Sequence, residues 1–290
     1  MTHHRPLEFG ISVTPYAEAY PQIVEQVLTA ERTGFELVGI QDHPYQRRFL
    51  DTFSLIADLL ARTSHLRLFP DVASLPMRPP TMLAKAAASL DVMSGGRFEL
   101  GLGAGNFWDA VEGMGGSRRE PGELGAALEE GLDLIRAALD VGPDRGVVRG
   151  PGPFYPIPGY PPGPPTAHRV EIWIGAMAPR ALELIGLKAD GWIPAGGVSR
   201  IDEFAGLGKQ IDDAAAAAGR DPRLVRRIVN VMTDVTAETV QPWIERLTTW
   251  AVEPGVDAYV FWPQDAGTAM IERIAAEVIP AVRDATATRR

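Results

Sequence analysis

Two short stretches carry residues whose types and spacing suit chemistry. "GIQDHPY" (39–45) sets Asp42 beside His43. Histidine is the side chain whose unperturbed pKa lies nearest neutrality, so a carboxylate–imidazole pair there suits proton transfer. "GRFELGLGAGN" (96–106) runs an apolar segment into Gly101, Gly103 and Gly105. A dinucleotide-binding fingerprint needs glycines at positions one, three and six opening directly into a helix. Here the sixth position is Asn106, and the following "FWDAVEGMGGSRREPGE" is broken by Gly113, Gly115, Gly116 and Pro121. The glycines then either let a flat ligand approach the backbone or form a turn that serves chain geometry alone. No cysteine is present, which excludes disulfides, thiolate nucleophiles and thiolate metal sites. His43, His65 and His168 are far apart and match no metal-ligand spacing, while His3 and His4 read as a solvated arm, so no metal site is expected.

The elements that must position these residues alternate along the chain. Eight β-rich runs stand at 8–13, 36–41, 66–72, 97–103, 171–176, 191–196, 226–235 and 258–263. Most are continuously apolar, as in strands buried on both faces. Helix-period segments lie between them. One begins at Pro79–Pro80, aligns Met82, Leu83, Ala86, Ala87, Leu90 and Met93 on one face, and ends at Gly95. Another spans Glu123–Asp140 with Leu124, Leu128, Leu132, Ile135 and Leu139 inward, and a last runs from Thr268 to Arg283. Eight βα units predict an α/β fold, a (β/α)8 TIM barrel over 1–290 as a single domain, with its site at the C-terminal ends of the strands. Residues 141–169 hold nine of the 25 prolines and read as an ordered Pro/Gly-rich excursion carrying Phe154, Tyr155 and Tyr160, unable to be barrel strand or helix.

Composition narrows the partners. The chain has 46% hydrophobic and 22% charged residues, as globular proteins do, and a net charge of −9 that repels phosphate backbones and anionic lipid. Neither nucleic acid nor a membrane is expected as partner, and no signal or spanning segment precedes the first strand, which makes the cytoplasm the default location.

The sequence resembles the bacterial luciferase-like superfamily of flavin- and deazaflavin-dependent oxidoreductases. The likeness is carried by "GIQDHPY" (39–45), "PPTMLAKAAASLDVMSGGRFELGLGAGN" (79–106), "IWIGAMAPRALELIGLKADGW" (172–192) and "VDAYVFWPQD" (256–265). It implies a luciferase-like barrel with insertions and a flavin or deazaflavin ring in the barrel mouth. A bulge, often with a non-proline cis peptide, would back the ring near Asp71–Val72. Gly103, Ala104, Gly105 and Asn106 would border the ring. Main-chain amides of Gly175, Ala176, Met177 and Ala178, with Arg180, would hold the cofactor phosphate at a helix N-terminus. His43 would be the general acid or base and Asp42 would fix ring and cofactor polar groups; the other reading of His43 is a hydrogen-bonded structural histidine. Sugar-phosphate dehydrogenases of the superfamily carry a glutamate where this chain has Asn106, which puts that chemistry in doubt.

Two cofactors remain open. The resemblance, and "DHPYQRRF" in particular, favours coenzyme F420, a hydride carrier whose anionic tail calls for basic residues such as Arg47, Arg48, Arg78, Arg118 and Arg119 at the rim. FMN would mean monooxygenation with a flavin reductase as partner. A small-molecule substrate would sit above the ring, walled by Phe107, Trp108, Tyr16 and Trp262, and a homodimer or larger assembly is expected. A non-catalytic cofactor-binding member is the reading from another class.

Overall fold

The computed structural model describes residues 5–140, 146–194, 200–232, 235–236, 238–264 and 267–289. In chain order the elements are β1 (Glu8–Val13), α1 (Tyr20–Thr33), β2 (Leu37–Ile40), α2 (Thr52–Arg62), β3 (Arg67–Pro70), β4 (Ala73–Ser74), α3 (Pro80–Ser94) and β5 (Leu100–Gly103). There follow α4 (Trp108–Gly113), α5 (Leu124–Leu139), β6 (Val148–Gly150), β7 (Ile157–Tyr160), β8 (Ile172–Gly175), α6 (Pro179–Lys188) and β9 (Gly191–Trp192). The chain closes with α7 (Ile201–Ala217), β10 (Arg226–Val231), α8 (Val240–Val252), β11 (Ala258–Phe261), α9 (Ala269–Arg273), a π-turn at 274–278 and α10 (Ile279–Thr286).

Nine parallel strands run in the order β3-β2-β1-β11-β10-β9-β8-β5-β4. The two ends of that row are two halves of one strand. β3 pairs with β2, the chain passes through a cis Asp71–Val72 peptide, and β4 pairs with β5. The Leu68 carbonyl accepts from Glu99 N at 3.0 Å and Leu68 N donates to Arg97 at 2.9 Å, which joins β3 to the segment before β5 and closes the ring. The expected (β/α)8 barrel is therefore the fold. The first expected strand holds with its bounds and the others with shorter ones, except that 66–72 breaks in two; 195–196 and 233–234 lie outside the described residues.

Glycines make the break possible. A Cβ on Gly101 would stand 2.1 Å from the Pro70 carbonyl oxygen, and one on Gly103 or Gly175 would stand 2.8 Å from a Val72 methyl. Those spaces are filled by the bulge itself. Gly101 thus answers to chain packing rather than to a ligand, while Gly103 and Gly175 seat Val72.

Two cores are separated by the barrel wall. Inside, Leu37, Phe69, Trp173, Ile193, Ile228, Ala258 and Val260 form one cluster, with Val72 against it. Below it the strand starts carry charges in a closed network. Arg67 pairs with Glu8 at 2.5 Å and Glu99 at 2.9 Å, and Arg226 pairs with Glu8 and, at 3.1 Å, with Glu171. Outside, helix faces pack on the strands. α2 begins on an Asp51 cap that accepts from Ser54 N at 2.9 Å, and α3 ends at a left-handed Gly95 (φ 70°).

The expected inward face of α3 needs correction: Met82 and Met93 are 61% and 75% exposed, and the buried side is Leu83, Ala84, Ala87, Ala88, Leu90 and Asp91. The helix turns Asp91 inward because its carboxylate accepts from the main-chain N–H groups of Ala167 and His168 and contacts His168 Nδ1 at 2.6 Å. This clamps the excursion to α3. Within the described part of 141–169 the chain also forms the β6–β7 antiparallel hairpin, with Tyr155 and Tyr160 packed on the core. The described prolines sit outside its few ladder positions or at its exposed edge.

Gly101→Ala should cost about 3 kcal/mol or more in chemical denaturation, because a carbonyl cannot yield, and Gly103→Ala about 2 kcal/mol. Adding Val72→Ala to Gly103→Ala should give less destabilisation than the sum of the single changes. Strict additivity would show that Val72 does not fill the glycine socket. Glu99 and Asp91 raise the His168 pKa above its usual value, so its stabilisation is full below about pH 6.5 and fades as pH rises through the raised value. Comparing wild type and His168→Asn at pH 5.5 and pH 9 by thermal melting should give the larger difference at pH 5.5.

Candidate active site

A cavity of about 700 Å³ opens at the C-terminal ends of the strands. Its lining includes all the expected site residues: Asp42, His43, Asp71, Val72, Gly103–Asn106, Gly175–Ala178 and Arg180. The chain brings them together because each follows a parallel strand, and parallel strands deliver their ends to one face.

Asp42 is not free to bind a ligand with its carboxylate. Oδ1 accepts from Arg78 Nη2 at 2.8 Å, and Oδ2 accepts from Arg78 Nε at 2.9 Å and Ser74 N at 3.0 Å. Arg78 also pairs with Asp51 at 2.6 Å and lies 4.6 Å over the Phe53 ring. The expectation that Arg78 serves the rim is overturned: it is a mostly buried strut that ties the end of β2 to the segment after β4 and to the cap of α2.

His43 sits differently. Its Nδ1 lies 2.7 Å from the Tyr45 hydroxyl, and the rings of Tyr45 and Phe107 stand 5.5 and 5.6 Å away. Burial pushes its pKa below the usual histidine value, against a smaller opposing pull from Asp42. At neutral pH the imidazole is uncharged and can accept a proton.

Asp71 projects among Ser12, Gly39 and Asn230 inside the barrel. Asn230 Nδ2 lies 3.3 Å from one carboxyl oxygen and Ser12 Oγ 3.4 Å from the other. Burial raises its pKa to about 6, opposed only by those two weak neutral donors. Beside it, Val72 caps the inner core and faces the cavity as an apolar shelf.

After β5, Asn106 Oδ1 accepts from Phe107 N at 2.8 Å, and Phe107 adopts a left-handed φ of 53° with its ring exposed beside His43. After β8, the amides of Met177 and Ala178 donate to no acceptor among the described residues, and α6 starts at Pro179. Arg180 borders the cavity there and forms no ion pair among the described residues. Free N–H groups, the positive end of a helix dipole and an unpaired guanidinium together suit an anionic group such as a phosphate.

The remaining rim arginines are mostly engaged. Arg48 pairs with Glu18, Arg118 with Asp109 and Glu112, and Arg119 stacks on Phe154 and Tyr155; exposed Arg47 forms no ion pair among the described residues. Of the expected aromatic walls, Phe107 and Trp262 line the cavity. Tyr16 instead packs edge-on against Phe49 at 5.0 Å, and Trp108 starts α4 outside the lining. Sequence reasoning missed Tyr45, Asn230 and Met232. Asn230 had a readable signal, a lone amide inside the apolar run "RRIVNVM".

A family model described as luciferase-like monooxygenase matches residues 5–277. The chain is 31% identical over 222 residues to a 5,10-methylenetetrahydromethanopterin reductase of Methanolobus tindarius, covering 76% of this chain and 63% of that protein. It thus spans less than two thirds of the length of that relative. Among solved structures, an F420-dependent secondary alcohol dehydrogenase in complex with an F420-acetone adduct superposes with TM-score 0.83 at 17% identity, covering 96% of this chain and all of the other. A Type II Baeyer-Villiger monooxygenase of Pseudomonas putida in complex with FMN superposes with TM-score 0.75 at 18% identity, covering 95% and 98%. At such identities these likenesses speak for the fold.

Arg78→Met leaves the fully buried Asp42 carboxylate without its cation, which should cost about 3 kcal/mol or more in urea unfolding at pH 7. A loss under about 1 kcal/mol would mean that the strut does not hold the site.

Proposed function

The chain belongs to the luciferase-like monooxygenase family, and from that premise we propose that it is an oxidoreductase using coenzyme F420 to transfer hydride to or from a small organic substrate. The observation that carries this reading is the joining, in one cavity, of an uncharged His43 with an anion cradle at Met177, Ala178 and Arg180. F420, when bound, supplies a two-electron hydride carrier.

The chain's own residues do the rest. Met177 and Ala178 amides and Arg180 hold the phosphate. Val72 supports one face of the ring, and Arg78 keeps the Asp42 main chain, and with it His43, in place. His43 takes or gives the proton at the substrate's reacting oxygen, with Tyr45 orienting the imidazole. Phe107, Met232 and Trp262 offer an apolar wall to the substrate.

FMN is the second reading. It is favoured by the pairing of Arg48, Arg78 and Arg118 with carboxylates, which takes three of the five expected rim arginines away from a long anionic tail. A flavin reductase would then be needed. The exposed Met82, Val92 and Met93 on α3 support a homodimer or larger assembly, and the cytoplasm is the proposed setting.

Fluorescence titration of the purified protein with F420 and with FMN separates these readings. F420 bound at micromolar levels or tighter and FMN at least tenfold more weakly supports hydride transfer. The reverse order supports monooxygenation, and binding of neither contradicts both. Once a substrate is in hand, His43→Ala should lower kcat by about 10² to 10⁴ while leaving cofactor affinity within a few fold. Full turnover in that variant would make His43 structural.

A further inference from the structure

The cavity wall holds two aspartates in opposite environments. Asp42 meets a bidentate guanidinium and a main-chain N–H. Asp71 meets only long contacts from neutral donors, and the Ser12 hydroxyl it shares also donates to the Gly39 carbonyl at 3.2 Å. Among the described residues no charged group faces it from the elements around it: β1 offers Ser12, β2 Gly39 and β10 Asn230. Farther along the wall stand His43 and Tyr45 after β2, Asp42 already paired with Arg78, and Arg180 on α6. A carboxyl in such a place is protonated more readily than in water, and a ligand that accepts its hydrogen draws it further toward the neutral form.

The same wall has polar atoms without partners. Asn230 Oδ1 is a buried acceptor and Trp262 Nε1 a buried donor, each with no hydrogen-bond partner among the described residues. Both residues line the cavity, as does Asp71. The strand register explains their common direction: Val231 pairs with Phe261, so Asn230 and Trp262 each lie one step from that pair on the alternate, inward side. Buried polar atoms left unpaired are costly, so the wall is complementary to a ligand edge that offers both a donor and acceptors. A cyclic imide, two carbonyls flanking an N–H, has that chemistry and is shared by FMN and F420.

We propose that Asp71 binds the imide edge of the cofactor ring as a carboxylic acid, so that loading the cavity takes up a proton from solvent at Asp71. The proton moves from water to the Asp71 carboxylate as the ring arrives, and no bond in the ring changes. This inference rests on the cofactor reading above. The free carboxyl titrates near pH 6, so uptake is small at pH 5, where it is already protonated, and approaches one proton at pH 7.5.

Isothermal titration calorimetry in pairs of buffers with different ionisation enthalpies measures that proton count directly. FMN and F420 are titrated in turn into wild type, Asp71→Asn and His43→Asn between pH 5 and pH 7.5. The ligands' own ionisations appear in all three proteins and cancel in the differences. Wild type minus Asp71→Asn should rise from near zero at pH 5 to about one proton at pH 7.5, and His43→Asn should behave as wild type. Asp71→Ser carries the comparison if the amide variant does not fold. A difference below about 0.2 proton throughout overturns the proposal, as does loss of the uptake in His43→Asn instead. Failure of both cofactors to bind wild type overturns the cofactor reading, which is a distinct result from binding without proton uptake.

Discussion

The contact on which this structure depends is a valine side chain seated against glycines. Val72 occupies space that a Cβ on Gly103 or Gly175 would claim, and the Pro70 carbonyl occupies the space beside Gly101. Because that socket exists, the third barrel strand can leave its partnership with β2 at Pro70 and resume with β5 at Ala73. The break lets one strand serve both ends of the sheet, and the ring closes around it. It also sends two successive side chains to different tasks. Asp71 points into the barrel among Ser12, Gly39 and Asn230, and Val72 caps the inner core while facing the cavity.

Polarity is layered along the barrel axis around that break. Charges at the strand starts form the Glu8–Arg67–Glu99 and Arg226 network, and the large side chains of Phe69 and Trp173 fill the next level. The level above holds small or polar residues, Ser12, Gly39, Asp71 and Asn230, because the space there belongs to the cavity. Stability is therefore invested low in the barrel and chemistry is placed high, the division expected of this architecture. The clamp of His168 by Asp91 and Glu99 extends the lower network outward to fix the proline-rich excursion.

Much of this was legible in the residues. Eight apolar runs at βα spacing specify the barrel, since strands buried on both faces need no alternation. The "DHPY" and "GAMAPR" stretches locate the cavity because the residue after a parallel strand is carried to the mouth. What escaped reading depended on contacts between distant segments. "LRLFPDV" reads as one continuous run; the bulge at Asp71–Val72 came from the resemblance alone, and the cis peptide there agrees with it, while its physical reason lies in the glycines thirty residues later. Arg78 looked like a rim cation because its two carboxylates, Asp42 and Asp51, are distant in sequence. α3 has apolar residues on several sides, so the buried side was decided by Asp91 reaching the excursion. The β6–β7 hairpin was hidden by prolines that its short ladder tolerates.

The Val72 shelf, the Asp71 side of the wall and the amide cradle after β8 are proposed to form one cofactor site together. The most direct test is a crystal structure of the protein loaded with F420. Ring density should pack on Val72, with the imide edge toward Asp71 and Asn230 and a phosphate within hydrogen-bond distance of the Met177 and Ala178 amides and Arg180. A ring bound elsewhere, or a phosphate held away from the start of α6, would contradict it.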